Sequence, residues 1–156
     1  MIPANTIGKF RIERKPWGII LWEGDRYWMD DSEKEKESHQ FAIDAAEGRV
    51  VVGGLGLGRI VEWLQAKPEV TEIVVVEIAK EVIDLVWRYL DVPKATIVHM
   101  DLKDYLVTAE GFDYIYMDVA PKAGHESIKE WRKLAEQLVA PDRVFCWGEK
   151  EMANVN

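Results

Sequence analysis

Five short, mostly apolar runs, the first three rich in β-branched residues, punctuate this chain from position 50 onward. Between them lie stretches whose apolar residues recur every three or four positions. The runs at 50–52, 72–77, 95–99, 112–117 and 143–147 read as buried strands, because a parallel strand covered on both faces loses its polar alternation. The spacing of Ile60, Val61, Trp63 and Leu64 predicts a helix over 59–66, closed by Lys67-Pro68. Val82, Ile83, Leu85, Val86, Tyr89 and Leu90 predict another over 80–91, ahead of Pro93, and a short helix is expected over 102–108. Ile128, Trp131, Leu134, Ala135 and Leu138 line one side of a helix over 126–139. Strands alternating with helices at this spacing predict an α/β fold with a doubly wound, mainly parallel sheet of order 3-2-1-4-5, truncated after strand five.

The first 35 residues differ. Runs at 18–22 and 26–29 flank Glu23-Gly24-Asp25, the pattern of a β-hairpin. An N-terminal hairpin extension over 1–35 and a nucleoside-binding core over 36–156 are therefore expected. Trp17, Trp22 and Trp28 fall in or beside the hairpin and read as core or lid packing. Residues 30–37 form a charge run, a solvated loop or a first helical turn, and 38–47 read as a helix stopped by Gly48.

Composition narrows the class. Close to half of the residues are apolar, so the chain can bury a core, and its length suits one domain. The net charge is −8, from 28 acidic and 20 basic residues, which counts against a nucleic-acid partner and favours cationic ligands. Arg11, Arg14 and Lys15 form the one basic cluster and read as a solvated edge. A single cysteine, Cys146, in an apolar run excludes an internal disulfide. With no membrane-length apolar stretch and no secretion signal, a cytoplasmic protein with no membrane partner is expected.

Candidate chemistry begins at Val51-Val52-Gly53-Gly54-Leu55-Gly56-Leu57-Gly58, where the first buried strand turns into its helix. Such a turn offers bare backbone N–H groups to a ligand, and side chains at Gly54, Gly56 or Gly58 would block close approach. A dinucleotide fingerprint would need glycine where Arg59 stands, and no Gly-Lys-Ser/Thr ending follows, so the looser nucleoside-binding pattern remains. Glu77 ends the second strand at the spacing where a carboxylate can take both hydroxyls of a ribose. Asp101 ends the third and could accept from an adenine amino group, with Leu55, Ile78 and Leu102 as candidate walls for the ring. Asp118 ends the fourth and could hold an amine or act as a base. His39 and Gln40 reach the crevice only if their helix packs over strand one; His125 either caps the helix after it or serves as an acid or base. No cluster has metal-ligand spacing, so no metal is expected.

With these residues the chain resembles class I S-adenosylmethionine-dependent methyltransferases of Rossmann-like fold, and most of all their spermidine synthase branch. Carrying the resemblance are Leu21-Trp22-Glu23-Gly24, Ser38-His39-Gln40, the glycine turn, Val75-Val76-Glu77-Ile78, Tyr114-Ile115-Tyr116-Met117-Asp118-Val119 and Cys146-Trp147-Gly148-Glu149. It implies Glu77 on the ribose, Asp101 on the adenine and Asp118 on an amine, with S-adenosylmethionine or its decarboxylated form as donor. Aminopropyltransferases carry an acidic residue where Pro121 stands, and Tyr and Glu where Ser38 and Gln40 stand. Losing counter-charge for a diamine is costly in a closed pocket. The expectation is therefore methyl transfer to a small cationic or neutral acceptor, with Asp118 and His39 at the reacting end and aminopropyl transfer or non-catalytic nucleoside binding as alternatives. The same core ordinarily continues past strand five, so that edge is expected to be covered, by a second copy in a homo-oligomer or by the amino-terminal hairpin.

Overall fold

The computed structural model describes residues 1–118 and 124–147, with the side chains of 124–127 excepted. Pro121, Gly148, Glu149 and the His125 side chain therefore lie outside the described residues. The amino-terminal part is a four-stranded antiparallel sheet in chain order: β1 (Asn5–Ile7), β2 (Phe10–Lys15), β3 (Gly18–Glu23) and β4 (Arg26–Asp30). β3 and β4 are the expected hairpin, with Trp22 opposite Tyr27 and a bulge between Leu21 and Trp22. Two further strands precede it, and in β2 Phe10 and Ile12 are buried while Arg11 and Glu13 are only partly covered. That alternation of period two was present in the sequence, masked by the density of charge around it. The basic cluster is accordingly part of a strand, with Arg11 packed over the Trp22 ring.

The charge run enters helix α1 (Glu33–Ala45) rather than a loop. Ser32 caps it by accepting from the Glu35 N–H at 3.3 Å, and Glu33 and Glu35 place negative charge at its positive end. Its inward residues, His39, Ala42 and Ile43, lie over the second sheet.

That sheet consists of five parallel strands: β5 (Gly48–Gly53), β6 (Val70–Glu77), β7 (Ala95–His99), β8 (Tyr114–Met117) and β9 (Val144–Cys146). Its order, β7-β6-β5-β8-β9, is the predicted 3-2-1-4-5 arrangement, with the reversal at β5. Period two divides the faces. Val50, Val52, Ile73, Val75, Tyr114 and Tyr116 join α1, α2 (Arg59–Gln65), α3 (Lys80–Val86) and the antiparallel sheet in one hydrophobic cluster. Val51, Val74, Val76, Ile115 and Met117 join α4 (Leu102–Thr108) and α5 (Gly124–Glu136) in the other. α3 stops short of the expected 91, tightening into a 3₁₀ turn over Trp87–Tyr89 before Pro93, whose ring disfavours helix at the residue ahead of it. Among the described residues, no helix is long and apolar enough to cross a membrane.

Candidate functional site

The glycine turn leaves the end of β5 with Gly54 donating to the Val76 carbonyl at 2.8 Å. Gly54, Gly56 and Gly58 have φ of 99°, 53° and 77°, a region that side chains with a Cβ avoid. Each also has a close neighbour. A Cβ at Gly54 would lie 2.5 Å from the Asp118 carbonyl oxygen, one at Gly58 2.5 Å from Leu90 Cδ1, and one at Gly56 would collide with Met29 Sδ. The glycines are thus required by the protein's own packing, and the bend needs no ligand to explain it.

Glu77 reaches from the tip of β6 back to this bend. One carboxylate oxygen accepts from the Leu55 N–H at 3.0 Å and the other from the Ala79 N–H at 2.9 Å. Gly56, Glu77 and Ile78 line a cleft of about 390 Å³ together with Phe10 and Trp28 of the antiparallel sheet, Lys9 and Glu23. That volume suits a small-molecule site. Ile78 is exposed at this cleft, so its side chain is available to an aromatic ring.

Other expected contributors lie elsewhere. Asp101 caps α4, accepting from the Lys103 N–H at 2.8 Å, and is not among the cleft's lining residues. Leu102 is buried against Gly53 in the cluster behind the sheet, and Leu55 is buried as well, so neither offers an open face to a ring. Gln40 is a correction: its side chain is exposed on the outer side of α1 and donates to Asp44 at 2.8 Å. His39 and Gln40 are adjacent on a helix, 100° apart around its axis, so burying one turns the other outward.

His39 points inward. Its Nδ1 is hydrogen-bonded to the Tyr116 hydroxyl, its Nε2 lies 3.4 Å from a Glu35 carboxylate oxygen, and its ring stacks on Trp147. With Asp30, Glu35 and Asp118 it borders a narrow space of about 20 Å³, room for roughly one water. Desolvation pushes the Asp118 carboxyl up to about 6; His39 opposes the shift, and the Glu35 and Glu77 carboxylates add to it. Burial also pushes the Tyr116 hydroxyl far above the ordinary phenol range. Glu35 and Tyr116 were not singled out from sequence. Both stood at informative offsets, one helical turn before His39 and two strand positions before Asp118. Among the described residues, no His, Cys, Asp and Glu group is arranged to hold a metal ion.

No family model matches the chain, and no curated protein matches it. Solved structures do. The spermidine synthase of Thermotoga maritima superposes with a TM-score of 0.68 at 18% identity, over 88% of this chain and 53% of that one. A spermidine synthase in complex with the transition-state analogue AdoDATO gives the same score and identity, over 88% of this chain and 54% of that one. The chain thus has the Rossmann-like fold of the spermidine synthases and spans about half of their length.

Proposed function

We propose that this chain binds an adenosyl sulfonium donor and transfers its alkyl arm to a small cationic amine, in the manner of an aminopropyltransferase. The observation that carries this is the presence of two carboxylates at the tips of β6 and β8, the strands on either side of β5. Glu77 lies in the wall of the 390 Å³ cleft, and Asp118, with its pKa raised, borders the smaller acidic space. Glu77 and Ile78 would take the ribose and base. Gly54, Gly56 and Gly58 shape the bend beside them, and Asp101 would serve the adenine only by giving up its place at the α4 terminus. In the transfer the amine nitrogen forms the new bond to carbon, the carbon–sulfur bond breaks with its electrons returning to sulfur, and Asp118 receives the displaced proton.

Two features support an aminopropyl arm over a methyl group. The likeness is to spermidine synthases, one of them holding AdoDATO. Three carboxylates, Asp30, Glu35 and Asp118, border the space beside the bend, and its Arg59 is paired with Asp31 at 3.0 Å and Glu62 at 2.9 Å. A donor that keeps its own carboxylate would meet repulsion there, whereas an ammonium would be welcomed. Methyl transfer is the second reading, favoured by Ser38, Gln40 and Pro121 in place of the family's residues. As a further part of the proposal, a second copy covers the outer edge of β9; a monomer at micromolar concentration in sedimentation would remove that part.

Calorimetry with decarboxylated and intact S-adenosylmethionine decides between the readings. Tighter binding of the decarboxylated donor is expected. Tighter binding of the intact donor would replace aminopropyl with methyl transfer, and binding of neither, nor of methylthioadenosine, would remove the transferase reading altogether.

A further inference from the structure

Among the described residues His39 is the one strongly polar side chain of the core, 1% exposed, and both of its nitrogens are occupied. The chemistry of its partners sets its hydrogens. The Glu35 carboxylate oxygen at 3.4 Å serves as an acceptor, which places a hydrogen on Nε2. The Tyr116 hydroxyl is fully buried, and its hydrogen-bond partner among the described residues is Nδ1. A buried hydroxyl donates where it can, and it can donate to Nδ1 only if that nitrogen is bare. Tyr116 and Asp118 stand two residues apart, so they share a face of the strand and its extension, and α1 lies over it.

We propose that Glu35 and Tyr116 are positioning residues that hold His39 as its Nε2–H tautomer with both ring nitrogens committed, so that His39 fixes α1 against the tip of β8 and Asp118 alone takes the acceptor's proton. A hydrogen on Nδ1 would turn this contact round, making the Tyr116 oxygen the acceptor and leaving the buried hydroxyl's own hydrogen without an acceptor. The groups facing the ring are Glu35 on its own helix, Tyr116 and Asp118 from the β8 segment, Trp147 beyond β9, and Asp30 at the end of β4 across the shared space. The clamp stands on hydrogen-bond geometry. The part given to Asp118 rests on the transferase reading above.

The test is nitrogen NMR of the imidazoles in the full-length chain at neutral pH, assigned with His39→Gln. The expected spectrum has a bare Nδ1 and a protonated Nε2. Tyr116→Phe should move the Nδ1 resonance and lower kcat by about 10–100-fold while KM changes little, as a misplaced reacting group does. Glu35→Gln, whose amide oxygen still accepts, should keep the tautomer that Glu35→Ala loses. A wild-type ring carrying hydrogen on Nδ1, singly or doubly protonated, overturns the proposal even if no variant folds; so does a Tyr116→Phe spectrum unchanged at His39. If the tautomer is as expected but no donor binds, the transferase reading and the role of Asp118 fall together, and the clamp stands.

Discussion

Asp118 sits partly exposed at the end of β8 with a carboxyl pushed up to about 6, mainly by desolvation. The folded state therefore binds a proton more readily than the unfolded chain between about pH 4 and 6. Stability from this group is present below that window, falls as pH rises through it, and stays lost above it. Asp118→Asn, which cannot ionise, should raise unfolding free energy in urea by about 1–2 kcal/mol at pH 8 and by little at pH 4, after allowance for solvent at the site. On the proposed transferase reading the same change should abolish transfer, and the wild-type rate should fall below about pH 6, where the carboxyl no longer takes a proton. On the same reading Glu77→Ala should weaken binding of the donor's nucleoside by about 1–3 kcal/mol in calorimetry, because an acceptor leaves the cleft. It should also loosen the bend, since Leu55 and Ala79 lose the carboxylate that accepts their N–H groups.

The glycine turn is the element on which the site depends, and its three glycines are not equivalent. Gly54 faces the Asp118 carbonyl, part of a backbone that cannot yield, whereas Gly56 faces the tip of Met29, a flexible side chain. Both have positive φ, so alanine is strained at either. Gly54→Ala should cost about 2–4 kcal/mol and displace Asp118, and Gly56→Ala about 1–2 kcal/mol with Met29 moving aside. Denaturant midpoints for the pair check this; equal costs would mean the Met29 contact is as unyielding as backbone. The turn was legible because three glycines spaced by two have few uses. Its partners were not, since Met29, Leu90 and Asp118 are between 27 and 64 positions away.

At the scale of the molecule, the two sheets share one hydrophobic cluster, with Ile12, Ile19 and Leu21 of the antiparallel sheet continuous with Val50, Val52 and Leu55. Arg59 adds an ion pair to Asp31 across the same seam. Such continuity makes unfolding cooperative. Leu21→Ala, at a wholly buried site, should cost about 2–5 kcal/mol. Its circular dichroism and tryptophan fluorescence transitions should shift together. Separate transitions would show that the antiparallel sheet melts alone.

The sequence by itself determined which segments become strands and which helices, because period, strand length and glycine placement are local quantities written in consecutive residues, and the general rule for doubly wound sheets supplied their order. It placed carboxylates at strand tips for the same reason, since a strand's last residue is visible where the apolar run stops. What α1 packs on, which way its side chains turn and which glycine meets which neighbour are long-range facts, and only the tertiary structure decided them. It buried His39 between Glu35 and Tyr116, turned Gln40 outward, and brought Trp28 and Phe10 into one cleft with Glu77. Residues 77 apart in sequence meet there, and no period within either segment encodes that meeting.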